Sequence, residues 1–387
     1  MKGFPRAAMA ELVLDERYRP ASSGDYEVWN LNLDQVESDT GQVIHKLRMP
    51  VAELGPSTYA FAAGTVLYSK LRPYLNKVVV ADEDGYATTE LVPLRCRPDR
   101  VHTPYLAHYL RSPEFLKFAN LVVAGTKMPR MVMSAFWRYE VPVPSLAEQR
   151  RIAAILDKAA ALRAKRSEAL TQLDRLAQAI FVEMFGDPVT GPKNCSRKKL
   201  ADCVARLEYG PRFYDEAYSA EGVRIVRITD LDQGGALNFE AMPRMALDKW
   251  TIERFALQPG DIVFARTGAT VGKVALLRDT DPVCIAGAYF IRLRFDDSVL
   301  PLYAASVLRA KSVQELIANQ SRQAAQQNFS GPGLRALPMP VPPISAQQAY
   351  ANRVEKILVE RQRLNASLTE MGLLFSSLQH RAFQDAL

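Results

Sequence analysis

Residues 145–187 have the sequence SLAEQRRIAAILDKAAALRAKRSEALTQLDRLAQAIFVEMFGD, and residues 343–385 have the sequence PISAQQAYANRVEKILVERQRLNASLTEMGLLFSSLQHRAFQD. At an offset of 198 residues, apolar positions coincide almost throughout. Both patterns predict a long amphipathic helix. Each helix follows a proline-rich strand end and about 140 residues that also align with their counterpart. The chain therefore repeats one domain and one helix. This arrangement suits the recognition of two similar targets at a fixed distance from each other.

The apolar positions of both helices recur at alternating intervals of four and three residues, the spacing of a coiled-coil seam. The first seam comprises Ile152, Leu156, Ala159, Arg163, Arg166, Leu170, Leu173, Ala177, Ile180 and Met184. The second comprises Tyr350, Val354, Ile357, Arg361, Leu364, Leu368, Met371, Phe375, Leu378 and Ala382. Small residues of one seam match large residues of the other, which favours packing of the two helices on each other. The equivalent arginines 163 and 361 either fix the register or extend their stems to the edge of the seam.

The ends of the helices give the domain boundaries. Ser145 is a candidate N-cap with Glu148 three residues on, and Gly186 followed by Pro188 stops the first helix. The second helix lacks the acidic capping residue. We therefore predict a first domain at 1–144, a helix at 145–187, a second domain at 188–342 and a helix at 343–387.

Both domains are predicted to be mixed α/β. Residues 61–70 and 257–266 each read as a turn and a buried strand, and each strand precedes a basic or glycine-rich hairpin loop. Residues 105–118 and 302–317 read as a helix, followed by a second polar loop. Arg, Lys, Asn and Gln side chains bind phosphates and base edges, although an ordinary solvated hairpin has the same composition. The predicted DNA-binding residues are Lys70, Arg72, Tyr74, Asn76, Lys77, Thr126, Lys127, Arg130, Tyr209, Arg212, Arg266, Thr267, Thr270, Lys273, Gln326, Gln327 and Asn328.

The overall composition fits this interpretation. The chain has 49 Lys and Arg residues against 42 Asp and Glu residues and a pI of about 9.1, which favours a polyanionic partner, although a charge of +7 on 387 residues is also ordinary. Because no stretch of eighteen apolar residues and no N-terminal apolar segment occur, we expect a soluble cytoplasmic protein that does not bind a membrane.

Motifs for metal binding or catalysis are not found in the sequence. The cysteines 96, 195, 203 and 284 form no CxxC pair, and the four histidines lack metal-ligand spacing, so we predict no metal site and buried apolar roles for the cysteines. Residues 268–273, GATVGK, are one residue short of a phosphate-binding loop. No dinucleotide-binding, amino-methyltransferase or GxSxG motif occurs. We predict that the chain is not an enzyme.

Several runs resemble the specificity subunit of Type I restriction-modification systems. They are VPVPSLAEQRRIAAILD, AIFVEMFGDPVTGPK, the paired GTVLYSKLRPYLNKV and GDIVFARTGATVGKV, and PMPVPPISAQQ. The resemblance covers essentially the whole chain. It implies an α+β fold with two target recognition domains separated by two long antiparallel coiled-coil helices and related by a pseudo-two-fold repeat. Each domain would recognise one half of a bipartite double-stranded DNA target.

The same resemblance implies the partners. The helices would set the gap between half-sites and dock two methyltransferase subunits, and motor-nuclease subunits would join for restriction. S-adenosylmethionine, ATP and Mg would bind in those partner subunits and no cofactor in this chain. Ile155, Leu162, Leu176 and Phe181 lie off the seam and are predicted to bind a partner. The first domain departs from the pattern because it begins without a clear counterpart to residues 199–203 and 207–210. The alternative interpretation is a non-catalytic coiled-coil scaffold that does not recognise DNA.

Overall fold

The structure is a computed structural model that describes residues 4–16, 18, 26–193, 195–213, 217–232, 234–322 and 328–384. The chain divides into two compact units, residues 1–168 with 365–387 and residues 169–364. Each unit contains the core of one predicted domain and a part of both long helices. The fold is mixed helix and sheet, as predicted.

In its described residues, the first domain has short strands and four α-helices. Its strands are β1 (Arg6–Ala8), β2 (Glu27–Leu31), β3 (Arg48–Pro50), β4 (Thr58–Phe61), β5 (Val66–Ser69), β6 (Val78–Val80), β7 (Gly85–Thr88), β8 (Leu91–Leu94), β9 (Val123–Ala124), β10 (Arg130–Met131) and β11 (Glu140–Pro142). Its helices are α1 (Met9–Leu12), α2 (Thr103–Leu110), α3 (Pro113–Leu121) and α4 (Met133–Arg138). The first long helix, α5 (Leu146–Phe185), follows.

The second domain has a similar order of elements, with the additional helix α6 between β17 and β18. Its strands are β12 (Gly186–Asp187), β13 (Gly191–Pro192), β14 (Ser196–Lys199), β15 (Val204–Tyr209), β16 (Val223–Val226), β17 (Arg244–Met245), β18 (Ile262–Ala265), β19 (Val274–Leu276), β20 (Cys284–Ala286), β21 (Phe290–Phe295) and β22 (Pro338–Val341). Its helices are α6 (Lys249–Phe255), α7 (Pro301–Arg309), α8 (Lys311–Arg322) and α9 (Gly331–Arg335), and the second long helix is α10 (Ile344–Phe383).

The strand pairing shows that the duplication extends to topology. In the first domain the sheets have the orders β3-β2-β7-β4 and β6-β5-β8, and in the second β17-β16-β20 and β15-β21-β18-β19. Each domain has one parallel pair, β2 with β7 or β16 with β20. The predicted turn and buried strand before each hairpin loop are confirmed, because every residue of β5 and β18 is buried.

Two details of the sequence interpretation are corrected. Residues 105–118 and 302–317 each form two helices, not one. In the first domain Ser112 is extended before Pro113 and caps α3 by accepting a hydrogen bond from the Phe115 amide, since a residue before proline avoids the helical region. The start of the first domain also has its counterpart, at an offset of 191: β1 pairs with β11 as β14 pairs with β22, and Val13 bridges Cys96 as Val204 pairs with Phe295.

The first long helix begins and ends at the signals that the sequence contains. The Glu148 amide donates to the Ser145 hydroxyl at 3.3 Å, so Ser145 caps α5. The helix stops at Phe185, and Gly186 adopts a left-handed φ of 71° that glycine tolerates at a helix C-terminus. Immediately after the helix, β12 and β13 pair with each other, so the chain forms a short hairpin there.

The two long helices pack against each other within each unit. All predicted seam residues of α5 and α10 are buried or half-buried. In the first unit the beginning of α5 shares a core cluster with the end of α10, and in the second unit the end of α5 shares a cluster with the beginning of α10. The helices are therefore antiparallel, as expected.

Aromatic rings attach the end of each long helix to a domain. Phe185 of α5 contacts the ring of Tyr303 at a centroid distance of 5.0 Å, and Phe383 of α10, at the offset of 198, contacts Tyr105 at 5.5 Å. The Tyr105 hydroxyl donates to the Pro142 carbonyl at 2.7 Å, and Tyr303 makes the equivalent bond to the carbonyl of residue 340 at 2.8 Å. Both tyrosines are fully buried.

A buried glutamine attaches the start of each long helix. Gln149 is fully buried, accepts from the His102 amide at 2.7 Å and donates to the Arg100 and Pro144 carbonyls at 3.0 and 2.9 Å. Gln347 makes the same three kinds of bond in the second domain, at 2.8, 2.9 and 2.9 Å. His108, which is also buried, bonds Asp157 of α5 at 2.7 Å and is thus a satisfied core histidine.

We predict that replacing either buried glutamine by leucine lowers the free energy of unfolding by ~2–4 kcal/mol, because one buried and two partly buried hydrogen bonds to main-chain groups are lost. Urea unfolding of Gln347→Leu measures this. The control is Gln348→Leu, since that neighbouring side chain is exposed and its substitution should change stability by less than ~0.5 kcal/mol. Equal losses for both variants would show that the bonds of Gln347 contribute nothing.

Candidate DNA interface

The two predicted DNA-binding loops of the first domain lie side by side. Residue Leu71 of the hairpin loop and Arg130 of the second loop form an antiparallel bridge. The Met131 amide donates to the Lys70 carbonyl at 2.8 Å, and the Arg72 amide donates to the carbonyl of residue 129 at 2.7 Å. The main chain thus joins both loops into one surface.

The second domain joins its loops by an equivalent bridge and an equivalent hydrogen bond. Thr267 and Asn328 form the bridge, and the Phe329 amide donates to the Arg266 carbonyl at 2.7 Å. Gln326 and Gln327 lie outside the described residues. Two loops that are about fifty residues apart in sequence therefore meet at equivalent places in both domains.

Each hairpin loop contains a short 3-10 turn and two residues whose backbone lies in the left-handed region. Arg72 and Asn76 have φ values of 50° and 49°, where the second domain has Gly268 and Gly272 with 67° and 92°. A non-glycine residue in this region costs of order 1 kcal/mol or more, and such strain clusters at functional sites. The first domain thus displays the exposed Arg72 guanidinium at a position that glycine would occupy more easily.

The side chains of Asn76, Lys77 and Lys273 form hydrogen bonds within their own domains. The Asn76 side chain is 6% exposed and donates to Asp39 and to the Arg111 carbonyl, both at 3.1 Å, so its prediction as a DNA contact is corrected. The Lys77 ammonium donates to the Leu33 carbonyl at 2.7 Å, and Lys273 makes the equivalent bond to the carbonyl of residue 231 at 3.3 Å. These lysines brace the hairpins, and their contact with DNA stays a prediction.

Exposed donors and an aromatic ring remain at the surface of the first domain. Tyr74 is 52% exposed, Arg72 contacts the Met128 sulfur at 3.6 Å, and Lys70 is half-buried. Thr126 and Lys127 are exposed at the tip of the second loop. These residues form a basic surface that fits a phosphate backbone.

Arg130 differs from the other exposed cations because it is held by a carboxylate. Its Nε lies 3.0 and 3.2 Å from the two Glu90 oxygens, and its Nη2 lies 2.9 Å from Oε1. This hydrogen-bonded pair raises the pKa of Arg130. The guanidinium is therefore fixed in orientation although it remains at the surface.

The second domain presents a different surface. The Arg266 guanidinium lies 4.7 Å above the Tyr209 ring, whose hydroxyl accepts a hydrogen bond from the Gly331 amide at 2.9 Å. The Thr270 hydroxyl donates to the Thr267 carbonyl at 3.1 Å. Arg212 and Asn328 are exposed. At equivalent positions Gly268 replaces Arg72 and Asn328 replaces Arg130, whereas Arg266 and Lys273 keep the charges of Lys70 and Lys77.

Sequence reasoning missed two residues that flank the loops. The Glu90 carbonyl accepts from the Lys70 amide, and the Tyr289 carbonyl accepts from the Arg266 amide, both at 3.0 Å. Tyr289 is 61% exposed. Trp250 of α6 is also exposed and was not singled out. Only the equivalence of the two hairpins could have pointed to 90 and 289, since neither lies in a polar loop motif.

The predicted partner-binding residues of α5 divide into two groups. Leu162 and Leu176 are 58% and 48% exposed, and Ile155 is half-buried. Phe181 is a correction, because it is 3% exposed and packs between Phe185, Tyr303 and Tyr350. The last turns of α5 contact the second domain as well as α10, so a position off the seam is buried there.

Among the described residues, no group of three or more His, Cys, Asp or Glu side chains could hold a metal ion. Cys203 and Cys284 are buried, as predicted, whereas Cys96 and Cys195 are half-buried. In the same part of the chain, no helix has both the length and the apolar composition needed to span a bilayer.

Comparison with known proteins shows what the chain is similar to. The family model described as Type I restriction modification DNA specificity domain matches residues 22–172. The EcoKI specificity subunit of Escherichia coli K12 is 23% identical over 314 residues, which cover 75% of this chain and 67% of that protein. The EcoDI specificity subunit of Escherichia coli is 26% identical over 161 residues, 41% of this chain and about a third (36%) of that relative.

A solved structure extends the likeness to the whole fold. The S subunit of a Type I restriction-modification system from M. genitalium has a TM-score of 0.55 at 13% identity, covering 99% of this chain and 97% of that one. At this identity the likeness concerns the fold alone. The specificity-domain match over residues 22–172, the specificity-subunit relatives and this duplicated fold agree, so the chain is similar in sequence and in fold to specificity subunits of Type I restriction-modification systems.

Proposed function

We propose that each domain recognises one half of a bipartite duplex DNA target through its joined loop pair. The observation that carries the proposal is that both domains build the same main-chain platform from loops 70–77 and 126–131 or 266–273 and 328–329, yet present different side chains on it. Identical platforms with different side chains are what two different half-sites require.

The long helices have two roles in this proposal. A helix of 40 residues extends ~60 Å, and the helix pair sets the gap between the half-sites. Its exposed leucines dock two methyltransferase subunits, and motor-nuclease subunits join them in the cytoplasm. The chain itself is non-catalytic, and S-adenosylmethionine, ATP and Mg bind in the partner subunits.

The DNA surface can be tested by its salt dependence. We expect Arg72→Ala with Lys127→Ala to weaken duplex binding and to lower the slope of log K against log salt by about 1.8, because each phosphate contact contributes about 0.9. Lys77→Met is the contrast: its ammonium is bonded inside the domain, so stability should fall and the slope should not change. Fluorescence titration of the full chain at several salt concentrations measures both. An unchanged slope in the double variant would favour the alternative interpretation, in which the chain is a protein scaffold that does not recognise DNA.

Partner docking predicts a separate pattern. Leu162→Glu with Leu176→Glu should abolish co-purification with the methyltransferase subunit while the melting temperature stays unchanged, since both side chains are exposed. Ala161→Glu with Gln172→Glu adds the same charge at other exposed positions and should retain the partner. Phe181→Ala should instead lower stability by ~3–5 kcal/mol. Retention of the partner by the leucine variant would rule out this docking surface.

The spacing role is tested by lengthening both helices where the two compact units divide, between residues 168 and 169 and between residues 364 and 365. Four added residues in each helix extend the pair by about 6 Å and rotate it by about 40°, close to the rise and rotation of one to two base pairs. Selection of bound duplexes from a random library should return the same half-sites with a gap longer by one to two base pairs. Altered half-sites with the old gap would refute the role of the helices.

A further inference from the structure

The side chains of Arg130 and Asn328 extend from equivalent positions of the two loop pairs. Arg130 forms its antiparallel bridge with Leu71, and Asn328 forms the same bridge with Thr267. Both side chains are exposed. A substitution at either point therefore changes what the platform presents without changing the platform.

Resting on the function proposed above, we propose that positions 130 and 328 are the base-recognising positions of the two domains. Arg130 specifies a guanine in one half-site, and Asn328 specifies an adenine in the other. Arginine makes a bidentate contact with the O6 and N7 acceptors of guanine, whereas the amide of asparagine matches the N6 donor and N7 acceptor of adenine.

The hydrogen bonds of Arg130 leave the required edge of its guanidinium available. Glu90 engages Nε and one N–H of Nη2 at 2.9–3.2 Å. A guanidinium has five N–H donors, so Nη1 and the second N–H of Nη2 still form a two-donor end. With 45% of the Arg130 side chain exposed, that end is accessible to a base edge.

Glu90 is a positioning residue in this proposal. It is 22% exposed and holds the guanidinium through three hydrogen bonds, so less side-chain freedom is lost when Arg130 meets a base. A carboxylate also repels the phosphate backbone. Removing its charge should therefore weaken discrimination without weakening overall affinity, a combination that a purely structural role would not produce.

The second domain places Tyr289 where the first has Glu90, because the Tyr289 carbonyl accepts from Arg266 as the Glu90 carbonyl accepts from Lys70. An asparagine at 328 has no guanidinium that needs a carboxylate. Both members of the Glu90–Arg130 pair are therefore replaced in the second domain, by Tyr289 and Asn328. This is expected if each pair acts as one recognition unit.

The test is selection of bound duplexes from a random library by the full chain. For Arg130→Asn we expect one position of one half-site to lose its preference for guanine by roughly 5- to 150-fold, the ratio that one bidentate base contact provides, and to gain preference for adenine. Glu90→Gln should relax the same position while total binding is equal or tighter. Arg48→Asn is the matched control, since Arg48 also pairs with a glutamate, at 2.8 Å and 47% exposure, and it should leave the motif unchanged.

The converse variant, Tyr289→Glu with Asn328→Arg, transfers the first pair to the second domain. We expect it to convert one adenine of the other half-site into guanine. If the parent chain selects a bipartite motif that all these variants retain, or if Arg48→Asn shifts the same base, the assignment of 130 and 328 is overturned. If the parent chain selects no bipartite motif, the proposed function itself fails.

Discussion

The contact between the last turn of each long helix and a buried tyrosine is the constraint on which the rest of the fold depends. Phe185 packs on Tyr303 and Phe383 packs on Tyr105. Removing a buried ring of this kind costs ~3–5 kcal/mol, so neither helix can slide along its domain without losing a large part of a domain's stability. The tyrosine hydroxyls bond to β11 and β22, so each ring is also fixed from the strand side. A helix anchored in this way has a defined length between its ends.

Framework residues are similar in the two copies of the repeat, whereas exposed loop residues differ. Residues that hold the framework keep their chemistry in both copies, as with Gln149 and Gln347. Exposed residues on the loop platform differ, as with the charged Glu90–Arg130 pair and the equivalent Tyr289 and Asn328. Since the platform is fixed by main-chain bonds, exposed side chains such as those at positions 130 and 328 can differ while the platform stays the same. In the proposed function, this separation is what allows one architecture to carry two specificities.

Sequence periodicity predicted the long helices and their shared seam, because burial on one face repeats with the period of the helix. The antiparallel direction was implied by the family resemblance, and the two buried strands were read from short apolar runs that follow a turn. Periodicity could not predict that α5 buries Phe181 near its end, since that burial comes from a domain and not from the partner helix. The candidate loops were predicted from composition. The inward direction of Lys77 and Asn76 was not, because a hydrogen bond to a distant carbonyl leaves no pattern in the sequence.

Arg163 and Arg361 of the seam show that ion pairs do not set the register of the two long helices. Arg361 binds Asp174 of α5 at 2.9 Å and Asp232 of the second domain at 3.3 Å. Arg163, its equivalent, lies 5.0 Å from the Phe375 ring centroid. Both acidic partners of Arg361 are about half exposed, so each ion pair contributes at most ~1 kcal/mol. A device present in only one copy cannot align both halves of an internal repeat. The apolar seam and the aromatic ends, which both copies share, therefore determine the register, and the arginines adapt to whichever neighbour each unit provides.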